Sequence, residues 1–178
     1  MQKIPTEIDG LFQLVPEMRH DARGFFVKNF NTDLFSSLGL DFTPREEFFS
    51  RSARGVLRGM HFQTPPFEGV KVVTCLDGRV LDVVLDLRKN SRTFGKTVSF
   101  ELDGTAISSV FIPPGCAHGF RTLSETAFLF YSTGSVYSPA HDQGILWSGF
   151  GFDWGTENPL LSDRDRTFPT LDEFSNPF

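Results

Sequence analysis

Short apolar runs recur along the whole chain with turn residues between them, and this punctuation limits the fold more than any other feature. In the clearest run, Leu81, Val83, Leu85 and Leu87 share one face at a period of two, the signature of an extended strand. Runs of the same kind predict strands over Leu11–Val15, Phe25–Phe30, Phe48–Ser52, Val56–Gln63, Val70–Leu76, Val80–Leu87, Thr97–Leu102, Ser108–Ile112, Ala117–Thr122 and Ala127–Thr133. Asp77-Gly78 reads as a hairpin turn, and Pro113-Pro114-Gly115 as a second turn. One short helix is predicted over Asn31–Leu38, capped by Asn31 or Thr32 and stopped by Gly39. The tail from Phe150 to Phe178 is irregular and rich in Pro and Asp, with room for one short helix. Many short strands separated by turns predict an all-β antiparallel sandwich or barrel.

Composition supports this reading and removes some partners. Phe accounts for 21 of the 178 residues, and aromatic side chains fit a pleated, half-buried surface. Residues 1–178 are expected to form a single domain, long enough to bury about two-thirds of the surface that the unfolded chain exposes. The net charge of -5 speaks against nucleic acid as a partner, because that needs a basic footprint. No run reaches the length of a membrane span. Met1 to Gly10 carries Glu7 and Asp9 and does not read as a signal peptide. Two cysteines, Cys75 and Cys116, give no disulfide framework, so a reduced pair in the cytoplasm is expected.

The candidate chemistry centres on histidine. Of four histidines, His61 and His118 fall inside predicted strands. A lone strand histidine is more often a satisfied core residue than a catalyst. Here Arg58, Gln63, Lys71 and Tyr131 lie in the same run of central strands, and long polar residues are rare inside a sandwich unless it holds a site. Strict alternation puts Arg58 and His61 on opposite faces; a bulge at Gly59 would bring them to one side. A metal is disfavoured, because no second histidine stands two residues from His61 and too few ligands cluster. Cys116, two residues before His118, reads better as a small packing residue than as a nucleophile. Proton transfer fits best. A histidine base paired with an aspartate, a tyrosine acid and a lysine beside a developing oxyanion are all available. Arg23, Arg58 and Arg164 could clamp a diphosphate through forked hydrogen bonds.

The segments that carry these residues resemble, in order, those of one family. They are Asp21-Ala22-Arg23-Gly24-Phe25-Phe26, Gly55 to Gln63 with Pro65-Pro66 and Lys71, Asp82 to Arg88, Ser91 to Gly95, Pro113 to Phe120, Tyr131, Gly144 to Trp147 and Leu161 to Asp165. No single segment is decisive, but the ordered set resembles the dTDP-4-dehydrorhamnose 3,5-epimerases almost end to end. The resemblance implies a jelly-roll, cupin-like sandwich that works as a homodimer without a metal or other cofactor on a nucleotide-diphosphate sugar. It implies His61 as the base paired with Asp165, Tyr131 as the acid and Lys71 beside the substrate's keto oxygen. Arg23, Arg58, His118 and Arg164 match substrate and diphosphate contacts. Gln63 belongs to the same substrate-binding set. N-terminal strands, about residues 1–30, are expected to reach across the dimer, so that Arg23 serves the partner's site.

The sequence departs from the family pattern mainly where the nucleotide is read. Lys28 stands in place of a Glu, and Glu46-Glu47-Phe48 in place of Gln, Asp and Asn. Asp142 replaces a Glu and Arg164 a Lys, both with charge retained. The proton-transfer set is therefore intact and the nucleotide-reading set altered, which admits CDP- or GDP-linked sugars beside dTDP. Two other readings share these residues: a 3,4-keto-isomerase and a non-catalytic sugar-binding module.

Overall fold

A computed structural model describes residues 1–178. Six strands form one antiparallel sheet. In spatial order they are β1 (Gln2–Pro5), β2 (Phe12–Val15), β10 (Ser109–Ile112), β7 (Lys71–Asp77), β12 (Thr126–Thr133) and β5 (Glu46–Ala53). Five strands form the facing sheet: β13 (Asp142–Gly144), β6 (Leu57–Gln63), β11 (Cys116–Thr122), β8 (Arg79–Asp86) and β9 (Thr97–Asp103). A separate hairpin, β3 (Met18–Asp21) with β4 (Gly24–Val27), pairs with neither sheet. The result is an all-β antiparallel sandwich, as the punctuation of the sequence predicts, in the jelly-roll form that the resemblance implies.

Alternation sorts the side chains. Val73, Cys75, Val80, Val84, Val110, Phe120 and Leu129 point between the sheets and form the central core. Val83, Leu85 and Leu87, the face read from the sequence, point the other way, with Leu81 packed beside them. Their cover is the C-terminal tail, which lays Trp154, Phe150, Phe174 and Phe178 over that outer face. The tail contains turns and no helix, contrary to the expectation of one. Its aromatic residues follow no helical period and each fills its own place on the sheet. The outer face of the six-stranded sheet is covered by α1 (Thr32–Ser37), through Phe35 with Leu40 and Phe42. Asn31 caps that helix by accepting the Leu34 N–H at 3.0 Å, and Gly39 follows it at φ +67.

The Asp77-Gly78 turn corrects one expectation. Gly78 does supply a positive φ of +76, but β7 and β8 belong to different sheets and share no ladder. The turn carries the chain over the edge of the sandwich. Each strand instead pairs with partners distant in sequence, β7 with β10 and β12, and β8 with β9 and β11. Three short elements, β1, β3 and β13, lie outside the predicted strands, and the strand expected over Phe25–Phe30 ends at Val27.

Candidate active site

A cleft of about 420 Å³ lies between the sheets. On the five-stranded side it is lined by Arg58, His61 and Gln63 of β6 and His118 of β11. On the six-stranded side it is lined by Lys71 of β7, Tyr131 of β12, and Glu46, Phe48 and Ser50 of β5. Arg164 and Asp142 also line it.

Gly59 explains how Arg58 and His61 come to share a wall. The β6–β11 ladder pairs Arg58 with Phe120 and His61 with His118, so three steps on β6 face two on β11. Gly59 is the extra residue, at φ +135, and it packs directly on Gly119. Leu57, Met60 and Phe62 consequently face the tail, while Arg58, His61 and Gln63 face the cleft.

His61 is held by a carboxylate from the tail. Its Nε2 lies 2.9 Å from Asp165 Oδ1, and Asp165 is buried. Asp165 Oδ2 accepts the Gly59 N–H at 3.2 Å. Burial pushes the Asp165 carboxyl up, but the hydrogen bond and charge of His61, with Gly59 and Ser162, outweigh it and hold the group below the usual carboxylate range. The aspartate therefore stays ionised and can stabilise an imidazolium. Phe168 sits edge-on to the His61 ring, with centroids 5.7 Å apart.

His118 forms a second buried pair, its Nε2 2.7 Å from Asp82 Oδ2. Burial lowers its pKa in spite of Asp82, so the imidazole is neutral. Sequence reasoning assigned no role to Asp82. The available signal was an aspartate interrupting the inward apolar positions Val80 and Val84. Burial likewise lowers Lys71 to about 8, offset in part by the charges of Asp142 and Asp82. Burial raises Tyr131 and so keeps the phenol protonated. Cys116 is pushed up to about 12, the state of a packing thiol.

Other expected residues have structural duties at the rim. The Gln63 amide donates to Phe67 O at 3.0 Å and Val136 O at 3.2 Å, and accepts the Ser138 N–H at 2.6 Å, tying two rim loops together. Arg164 Nη1 is 2.8 Å from Asp142 Oδ2, and its guanidinium lies over Phe168. Arg58 Nε donates to Ser52 Oγ at 3.0 Å. Glu46 accepts the Tyr137 N–H, and Phe48 stacks on Tyr131. Glu47 does not line the cleft. Alternation along β5 turns it to the opposite face, where it accepts from Ser132 Oγ at 3.2 Å. Arg23 and Lys28 do not reach this chain's cleft either. Arg23 is on the detached β3–β4 hairpin, paired with Asp21 and with 90% of its side chain exposed, and Lys28 follows β4 on the surface. Ser50, Glu68, Ser135 and Tyr137 line the cleft and were not singled out by sequence. No group of three or more His, Cys, Asp or Glu side chains has the arrangement of a metal site, and no helix is long and apolar enough to cross a membrane.

A carboxylate-held imidazole on one wall faces a phenol and an ammonium on the other. Such a cleft can take a proton from carbon beside a ketone, hold the enolate oxygen and return a proton from the opposite side. Fold and site together define a jelly-roll isomerase of the acid–base kind. The sequence model of the dTDP-4-dehydrorhamnose 3,5-epimerase family matches residues 5–173, and the chain belongs to that family. It is 41% identical over 168 residues to the dTDP-4-dehydrorhamnose 3,5-epimerase of Shigella flexneri, covering 93% of each chain. It is 38% identical over 169 residues to a dTDP-4-dehydrorhamnose 3-epimerase of Streptomyces niveus, covering 93% of this chain and 82% of that one. Among solved structures it matches the dTDP-6-deoxy-D-glucose-3,5-epimerase of Legionella pneumophila Philadelphia 1 in complex with dTDP-4-keto-L-rhamnose. The TM-score there is 0.92 at 35% identity, covering 97% of this chain and 93% of that one.

Proposed function

We propose that the protein inverts C3 and C5 of a dTDP-linked 4-keto-6-deoxyhexose, as a cytoplasmic homodimer. The observation that carries this reading is the His61–Asp165 pair on one wall with Tyr131 and Lys71 on the other. The C4 ketone acidifies both neighbouring hydrogens. His61 takes one of them, with Asp165 stabilising the imidazolium. Lys71 steadies the enolate oxygen, and Tyr131 returns a proton from the opposite face. Repetition at the second carbon completes the double inversion. Neutral His118, with its Nε2 engaged by Asp82, has Nδ1 available to accept a sugar hydroxyl. Arg58 and Arg164 supply charge for the diphosphate. Dimerisation is supported by the detached β3–β4 hairpin, with Phe25 and Phe26 exposed and Arg23 outside its own chain's cleft.

The test is incubation in D₂O with dTDP-, CDP- and GDP-linked 4-keto-6-deoxyglucose, followed by NMR. Deuterium is expected at C3 and C5 of the dTDP sugar. Entry at one carbon only would make the protein a mono-epimerase, and preference for the CDP or GDP sugar would overturn the nucleotide assignment. Loss of the C3 hydrogen with a new C–H or C–D bond at C4 would favour the keto-isomerase, and absence of any change in all three would favour the binding module.

Lys71 gives a pH prediction. Its ammonium must be charged to steady an enolate, and in the free enzyme it deprotonates near pH 8. The kcat/KM value is therefore expected to fall as pH rises through about 8, while Lys71→Arg, which stays charged, loses that alkaline limb at a lower overall rate. A wild-type profile flat to pH 10 would remove Lys71 from this role.

A further inference from the structure

Each inversion leaves Tyr131 one proton short. Giving its hydroxyl proton to carbon leaves a phenolate in a site only 6% exposed, and burial strongly disfavours that anion. The second inversion cannot be completed until the proton is restored. Phe48 lies flat on the phenol ring, with centroids 4.6 Å apart and planes 13° apart. His118 approaches the same ring edge-on, with centroids 6.3 Å apart. The hydroxyl has one hydrogen-bond partner in the protein, Ser50 Oγ at 3.3 Å. Ser50 stands two residues beyond Phe48 on β5, so both face the cleft, and it is half-buried. β5 is an edge strand of its sheet. A serine hydroxyl donates and accepts at once, as a proton relay requires.

We propose that Ser50 is the relay that reprotonates Tyr131 between the two inversions, with Phe48 as the shield that leaves it the only protein route. The inference rests on the reading of Tyr131 as the acid. In the step, the Tyr131 O–H bond breaks as the new C–H bond forms, leaving a phenolate. The Ser50 O–H then breaks as the phenol O–H reforms, and Ser50 takes its replacement proton from cleft water. The proton gained by His61 from the substrate leaves to solvent, so the turnover is proton-neutral. Ser50 acts through Tyr131 and is a positioning residue.

Ser50→Ala, Ser50→Thr and Tyr131→Phe are to be compared with the wild type on the dTDP-linked 4-keto sugar. The measured quantities are kcat, KM, the solvent deuterium isotope effect and the fraction of product inverted at one carbon only. Ser50→Ala is expected to lose about tenfold or more in kcat with KM within about twofold, and to release more singly inverted product. Its solvent isotope effect should rise, and Ser50→Thr should recover the wild-type behaviour. A Ser50→Ala enzyme with wild-type kcat and product ratio overturns the proposal, as does a loss that Ser50→Thr fails to restore. Tyr131→Phe separates the two levels. If it is fully active, the reading of Tyr131 as acid fails; if it is inactive while Ser50→Ala is unaffected, the relay alone fails.

Discussion

His61→Ala will lose deuterium exchange at the carbons flanking the ketone by about 10²–10⁴-fold, the usual worth of a positioned general base, while dTDP binding survives. Structure supplies the control this experiment needs. Removing His61 leaves Asp165 buried without its main partner. An unpaired buried carboxylate destabilises a fold by about 3–5 kcal/mol or takes up a proton instead. Part of the alanine variant's loss could then be unfolding. His61→Gln separates the two effects, because its amide nitrogen reaches the position of Nε2 and can still donate to Asp165 but is no base at neutral pH. Both variants are expected to be inactive, and the glutamine variant is expected to melt closer to the wild type. Exchange at the wild-type rate in a folded His61→Gln enzyme would end the assignment of His61 as base.

Gly59→Ala is expected to damage both the fold and the site. A Cβ at Gly59 would lie 2.5 Å from Gly119 Cα and 3.0 Å from His118 O, at a φ of +135 that side chains rarely adopt. Strand β6 cannot retreat, because Leu57, Met60 and Phe62 on its other face are packed under the tail. The strand must part from β11 or give up the bulge, and a one-residue slip exchanges the faces on which Arg58 and His61 stand. A stability loss of about 3 kcal/mol or more is expected. Activity per folded molecule should fall at least about 100-fold, because the Gly59 N–H also orients Asp165. Gly55→Ala is the matched control. Gly55 has a positive φ of +78 but nothing within 4 Å of its would-be Cβ, so only the conformational cost of about 1 kcal/mol applies. Denaturant unfolding and exchange assays on both variants measure this contrast, and equal losses would show that crowding against Gly119 is unimportant.

The core strands were legible because burial on one face imposes a period of two, and Leu81 to Leu87 displays it directly. The same rule separates Glu46 and Phe48, which face the cleft, from Glu47, which does not; reading the three as one motif obscured that alternation. The bulge at Gly59 was legible as a possibility, since two needed residues stood three apart with a glycine between them. Asp77-Gly78 misled because a dipeptide specifies a local backbone turn and not the sheet into which the chain turns. The strand β13 was invisible because Asp142-Gln143-Gly144 has no apolar pattern and pairs only through its backbone with β6. The Asp82–His118 pair spans 36 residues, and its one local mark, an aspartate between the inward positions Val80 and Val84, does not say which residue it pairs with.

The carboxylate that holds His61 stands 104 residues further along the chain, on a segment that belongs to neither sheet. Residues 57–63 are anchored by their ladder with β11, whereas Asp165 is in place only while the tail rests on the outer face of the five-stranded sheet. Loosening of the tail therefore parts the two side chains while the sandwich stays closed, so the pair acts as a latch between the cleft and the outer surface of the fold.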